Sequence, residues 1–308
     1  MVKAERVQYF NQPNCYMLSN GTVDVIVTTD IGPRVIAYRF TGGENILAEI
    51  GPEVVNHTKL GDWHPWGGHR LWHAPESNPR SYAPDNSPIE FEIVDNNSIR
   101  LMQPVEAGTG IEKEIFVKLD EDGTHVSLVH TLTNRNLWGV ELAPWAITIV
   151  NGGGVTIVPN EPFLSHTEAL TPARPMVLWY YTDLSDSRWT FGPRYTRLAS
   201  DALLDYPQKA GFGNKQGWAA YLREGTLFVK RFPYIEDAAY PDFGSNFETY
   251  TKGLFMEVES LAPLAWLEPG ESTIHLEDWF LFAGVETDES EEGLYSAISP
   301  LVHRTVAE

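Results

Sequence analysis

Ile111-Glu112-Lys113-Glu114-Ile115-Phe116-Val117-Lys118-Leu119 is followed by the turn Asp120-Glu121-Asp122-Gly123. Then comes His125-Val126-Ser127-Leu128-Val129-His130-Thr131-Leu132-Thr133. Two alternating runs separated by a short acidic turn ending in Gly read as a β-hairpin. In the second run Val126, Leu128, His130 and Leu132 share a face. His130 is therefore expected in the core, since a lone histidine on an apolar face is usually packed there. Asn134 closes the strand.

The same grammar extends in both directions. Residues 23–27 and 34–40 read as early strands, separated by Asp30-Ile31-Gly32-Pro33 and closed by the turn at 41–45. Residues 89–94 and 99–103 form a hairpin across Asp95-Asn96-Asn97-Ser98. Residues 218–222 and 227–232 form another across Arg223-Glu224-Gly225-Thr226. Late strands are expected at 254–261 and 275–283. One helix is expected near the C-terminus, with Asp288 as cap, Glu291 completing a capping box, Leu294 and Ile298 on one face, and Pro300 limiting it. Many strands and one late helix argue for a sandwich or barrel in place of βαβ units. Residues 51–88 and 159–217 read as long irregular stretches, which in β-domains carry function or cover a sheet face.

The chain has 308 residues, 43% of them hydrophobic and 21% charged, enough for a packed core. Its formal charge of −20 repels phosphate backbones and anionic membranes, so neither nucleic acid nor a membrane is an expected partner. Cys15 is the only cysteine. That excludes an internal disulfide and a cysteine-based zinc site, and the thiol is expected to pack near the first strand. The N-terminus lacks the apolar stretch of a signal peptide, which makes cytoplasmic residence the default expectation.

Four stretches carry groups suited to a ligand. Residues 61–76 hold His64, His69 and His73, Arg70, three tryptophans and a Gly-Gly pair. Sugars need donors for their hydroxyls and flat apolar faces for their C–H surfaces, and this stretch offers both. The alternative, a metal held by His64, His69 and His73, meets spacings of five and four in a segment too rich in Gly and Pro for a helix. In residues 140–148, Glu141, Ala143 and Trp145 share a face if Pro144 does not break the pleat, giving a sugar-sized notch or an exposed edge. In residues 255–259, Glu257 and Glu259 share a face, where neighbouring carboxylates push their pKa values apart. Lys215, in a chain poor in lysine, either meets an acidic ligand or decorates a loop. Nothing in the spacings calls for a metal or a cofactor.

In order along the chain, these stretches resemble the galactose mutarotase-like (aldose 1-epimerase-like) superfamily, and within it a poorly characterised bacterial group. The resemblance runs from about Val23 to Ala283 as a pattern of strands with short motifs. Ile31-Gly32-Pro33-Arg34-Val35 is similar to the family's early strand pair. His69-Arg70-Leu71 sits where mutarotases carry Asn-Arg-Ile, whose Arg touches sugar. Thr133-Asn134 resembles the end of a central strand. Met256-Glu257-Val258-Glu259 is similar to Leu-Glu-x-Gln, whose Glu is the catalytic base. Leu267-Glu268-Pro269-Gly270-Glu271 resembles the family's closing turn. The resemblance implies an all-β, galactose mutarotase-like supersandwich with a short C-terminal helix, one domain over residues 1–308. It implies a small carbohydrate or oligosaccharide as ligand. Glu257 would be the catalytic base, and His69, Arg70, His73, Glu141, Trp145, Lys215 and Glu259 would line the sugar site. One departure stands out. Trp145 falls about where the family places the His that protonates the ring oxygen, so the chain is either an epimerase with another acid, a lyase-like enzyme on acidic sugars, or a non-catalytic binding module.

Overall fold

The computed structural model describes residues 2–288 and 290–306. The hairpin quoted above forms as read. Ile111–Leu119 and Val126–Asn134 pair antiparallel from Ile111 opposite Asn134 to Leu119 opposite Val126. Buried and less buried residues alternate along the whole first strand and along the second as far as Leu132, after which Thr133 and Asn134 are also buried, as expected for a sheet with one face on a core.

This hairpin lies in a ten-stranded sheet. Its order is Trp189–Phe191, Tyr195–Ala199, Val155–Pro159, Trp218–Arg223, Thr226–Arg231, Ser272–Phe282, Val126–Asn134, Ile111–Leu119, Ser98–Met102, Glu90–Asp95. An eleven-stranded sheet packs against it. Its path runs Lys3–Tyr9, Gln12–Ser19, Val23–Thr28, Arg34–Phe40, Gly68–Ala74, Val140–Asn151, Phe255–Leu261, Phe247–Lys252, Gln208–Phe212, Met176–Leu178, with Ala265–Leu267 beside Val140–Asn151. Leu71, Leu142 and Val258 from this sheet join Ile115, Leu128 and Trp279 from the other in one buried cluster. A pair of short strands, Asn56–Thr58 and Gly61–Trp63, stands apart. The helix Glu291–His303 lays Leu294, Ile298 and Val302 on the outer face of the ten-stranded sheet, against Trp218, Ala220 and Val229. Burying each such side chain contributes about 2 kcal/mol. None of the described helices is long and apolar enough to cross a membrane.

Three expectations need correction. The helix is capped by Ser290, whose hydroxyl accepts from the Gly293 N–H, while Asp288 accepts from the Ser290 N–H; Pro300 lies inside the helix and does not end it. Two strands precede residue 23, the edge strand Lys3–Tyr9 and its neighbour Gln12–Ser19. They turn at Phe10-Asn11, both with positive φ, a turn normally announced by Gly. The stretches read as irregular contain several strands, above all Gly68–Ala74. All seven of its residues are buried, so it shows no alternation of apolar and polar types. A central strand covered on both faces lacks that signal. Gly67 and Gly68 lead into it at φ +80 and +66, and a Cβ on Gly68 would collide with the Val35 carbonyl, so only glycine fits there.

Candidate functional site

Alternation along Gly68–Ala74 divides its side chains between two environments. Arg70 and Trp72 point away from the ten-stranded sheet, while His69, Leu71 and His73 point toward it. The neighbouring strands follow suit. Ile147 lies opposite Arg70, and Trp145 opposite Trp72. Ile149 lies opposite Glu257, and Ile147 opposite Glu259. Pro144 pairs with His73 without breaking the pleat. Over the outward face opens a cleft of about 1180 Å³, with Arg70, Trp145 and Glu257 all on its lining. Trp63, Tyr82, Trp179 and Tyr181 reach it from flanking segments.

Arg70 and Glu257 form the charged centre. Arg70 Nη2 donates to Glu257 Oε1 at 3.1 Å. The guanidinium lies 5.3 Å from the ring centre of Trp63 and 4.7 Å from that of Trp72, each contact contributing about 0.5–2 kcal/mol. Arg70 is 4% exposed, and its Nε and Nη1 have no hydrogen-bond partner. A buried guanidinium using one of its donors on protein retains capacity for a ligand or an ordered water.

A second layer lies beside and beneath. Trp145 Nε1 donates to Glu259 Oε2 at 2.7 Å. Lys209 Nζ sits 3.2 Å from Glu259 Oε2 and 2.7 Å from Glu248 Oε2, with the rings of Trp145 and Trp179 at 4.8 and 4.7 Å. Burial opposes charge on Lys209, but the two carboxylates outweigh it and hold the ammonium well above the usual lysine range. Burial pushes Glu259 up to about 7 against the pull of Lys209, and raises Glu248 well above the usual carboxylate range. Two carboxylates face one ammonium, so one proton stays in the cluster and leaves it neutral. Lys209 is thus a fixed charge and not a free amine. Burial holds the phenols of Tyr82, Tyr181 and Tyr250 above their ordinary range, so they enter neutral pH as hydrogen-bond donors.

The expected site residues separate accordingly. Glu257, Arg70 and Trp145 meet in the cleft, and Glu259 braces its floor. His69 and His73 are turned inward. Glu141 is exposed at the start of its strand opposite Trp266, outside the cleft. Lys215 is an exposed loop residue whose N–H donates to Glu161. Among the described residues, Lys209 and Lys252 are the lysines that line the cleft. Tyr181, Lys209 and Tyr250 were missed; of these only Tyr250 had a signal, the hairpin of Phe247–Lys252 with Phe255–Leu261 about Gly253.

The inward histidines belong to two buried polar clusters. His69 Nε2 lies 2.7 Å from His130 Nε2, and its Nδ1 lies 2.9 Å from Thr148 Oγ1. His130 Nδ1 is 3.1 Å from the His275 carbonyl. Burial holds all three imidazoles below their usual range, so they are neutral. His130 then donates from Nδ1, which leaves its Nε2 to accept from His69. Lys230 Nζ, 2.7 Å from Glu277 Oε1, donates to the Val258 and Ala146 carbonyls and so ties the two sheets together. Ligating atoms of His69, His130 and Glu277 lie within 4.8 Å of one another. The spacing of the two imidazoles is that of a hydrogen bond, however, and Lys230 already balances Glu277. A dication here would bury uncompensated charge. His64, His69 and His73 diverge, with His64 Nδ1 on the Val54 carbonyl, so they share no metal.

No family model matches the chain, and no curated protein matches it. Solved structures do. A galactose mutarotase-like protein from Clostridium acetobutylicum is 11% identical with a TM-score of 0.58, over 92% of this chain and 99% of that one. A galactose mutarotase-like protein from Lactobacillus casei is 11% identical with a TM-score of 0.55, over 87% and 100%. A TPR-domain containing protein from Parabacteroides distasonis is 14% identical with a TM-score of 0.58 over 89% of this chain, which spans 48% of that protein's length. At such identities the likeness speaks to architecture: the chain has the galactose mutarotase-like β-sandwich fold.

Proposed function

We propose that the cleft binds a small carbohydrate and that Glu257 acts there as a base toward the anomeric hydroxyl. The carrying observation is convergence. Arg70, Trp145 and Glu257 come from three strands far apart in sequence and line one cleft walled by aromatic rings. Rings that stack on C–H faces beside a few directed polar groups suit a pyranose. Glu257 is positioned for proton removal by Arg70, which binds one of its oxygens. Epimerisation at the anomeric carbon of an aldose or sugar acid fits such a base. The names of the structural neighbours point the same way. The intersheet cluster draws on residues from Val2 to Leu281, which supports one domain over residues 1–308.

Magnetisation-exchange spectroscopy on a panel of aldoses tests the reading, with tryptophan fluorescence reporting binding at Trp63 and Trp72. Accelerated α/β interconversion that Glu257→Gln abolishes, with binding retained, is the expected result. Unchanged turnover in that variant refutes the base. One observation favours a second reading: among the described residues no histidine lines the cleft. Quenching by a sugar without interconversion of any aldose would make the protein a binding module.

A further inference from the structure

Opening an aldose ring needs two proton movements, one off O1 and one onto the ring oxygen. Glu257 accounts for the first. The second needs a donor in the same cleft. Candidates are the three phenols that line it, Tyr82, Tyr181 and Tyr250. The Tyr82 hydroxyl already donates to Glu76. Tyr181 comes from the segment after the short strand Met176–Leu178, with no strand register to fix it against Glu257.

Tyr250 differs from both. It lies directly opposite Glu257 in the antiparallel pair Phe247–Lys252 and Phe255–Leu261. Side chains opposite one another on adjacent strands share a face with Cβ atoms about 5 Å apart. Two residues, Gly253 and Leu254, close the hairpin, so both groups ride on one rigid unit. The Tyr250 ring is held 6.1 Å from the Phe255 ring, while its hydroxyl takes no hydrogen bond from a described residue.

We propose that Tyr250 is the acid partner of Glu257, donating its phenolic proton to the ring oxygen. This rests on the cleft being a sugar-epimerising site. In the forward step Glu257 takes the proton from O1, the C1–O1 bond becomes a carbonyl, the C1–O5 bond breaks, and O5 takes the Tyr250 proton. Rotation about C1–C2 and the reverse transfers close the other anomer and restore both residues. No co-reactant is consumed. The groups whose charge Tyr250 feels are Glu257, Lys209, Glu259 and Glu76. Ionised Glu257 opposes a phenolate, but in the step Glu257 becomes neutral as Tyr250 loses its proton. One negative charge moves across the hairpin toward the side where the Lys209 ammonium favours it.

The test compares wild type with Tyr250→Phe on aldoses by exchange spectroscopy and sugar quenching. The expected result is a fall in kcat of ~100-fold or more, with sugar affinity changed by less than about the tenfold that one lost neutral hydrogen bond gives. Wild-type catalysis that survives in Tyr250→Phe within about tenfold overturns the role of Tyr250 and leaves the cleft reading intact. Absence of interconversion in the wild type overturns both. If the Phe variant does not fold, 3,5-difluorotyrosine at position 250 replaces it. Its more acidic phenol should move the alkaline limb of the kcat profile to lower pH; an unmoved limb overturns the proposal.

Discussion

Glu106→Gln tests the buried cluster that holds His73, the histidine that faces inward. Glu106, Lys113 and His73 are 5%, 3% and 1% exposed. Glu106 Oε1 lies 2.5 Å from Lys113 Nζ; Oε2 accepts from Thr109 Oγ1 at 2.5 Å and faces His73 Nε2 at 3.3 Å. Arg80 Nη1 lies 2.8 Å from His73 Nδ1, so Nδ1 accepts and the neutral ring donates from Nε2 to Glu106. Burial alone would raise the Glu106 pKa, but Lys113 and His73 together bring it from the ordinary 4.5 to about 2. A carboxylate that holds its proton less tightly when folded contributes stability present above pH ~4.5 and lost as pH falls through ~2. The shift corresponds to about 3 kcal/mol at pH 7. Breaking a buried ion pair costs a similar ~3–5 kcal/mol. Gln imitates the protonated acid, so the variant should lose that amount at pH 7 and about half of it at pH 3. Urea denaturation of both proteins at the two pH values measures this. A gap below ~1 kcal/mol at pH 7, or one that does not change with pH, would show that the cluster is not an ion pair.

Two further outcomes are expected. Lys230→Met removes a fully buried ammonium, leaves Glu277 unbalanced and frees two carbonyls; chemical denaturation should show a loss of ~3–5 kcal/mol, and a loss under ~1 kcal/mol would mean the intersheet link carries little. Arg70→Met keeps bulk beside Trp63 and Trp72 but loses the donors, so sugar affinity by fluorescence titration should fall ~10–100-fold; unchanged affinity would place the sugar elsewhere.

The architecture was legible wherever a strand had one wet face. The hairpin at residues 111–133 alternates, and it folds in the register that alternation implies. Arg70 and Glu257 were legible through type and through the resemblance. Two of the failures share a cause. Gly68–Ala74 is covered on both sides, so its polar residues could not be assigned to ligand or core from the strand alone. Lys209 lies on Gln208–Phe212, also buried throughout. Lys215 stands out only because the chain is poor in lysine, and an exposed position is where a lysine costs least. Glu141 shares the parity of Trp145 but sits where the strand has left the cleft.

Parity thus carries the functional argument. Moving one residue along a strand exchanges a cleft-facing group for one turned into the core. His69 and Arg70, adjacent in sequence, end in a neutral intersheet network and in the charged centre of the cleft. Thr249 and Tyr250 divide likewise: the Thr249 hydroxyl donates to the Glu257 carbonyl, while Tyr250 faces the cleft. In the inward network Lys230 balances Glu277, and His69 and His130 use both ring nitrogens, while the buried His275 Nδ1 has no partner among the described residues. The network's contacts reach the central strands from behind, at Ala146, Thr148 and Val258. The residues next to these, Trp145, Ile147 and Glu257, line the cleft. A rigid polar back face fixes backbone positions that an apolar one would leave freer to slide, and the geometry of Arg70, Glu257 and Tyr250 depends on those positions. Lys230 thus braces the cleft strands from behind through the Ala146 and Val258 carbonyls, and His69 through the Thr148 hydroxyl.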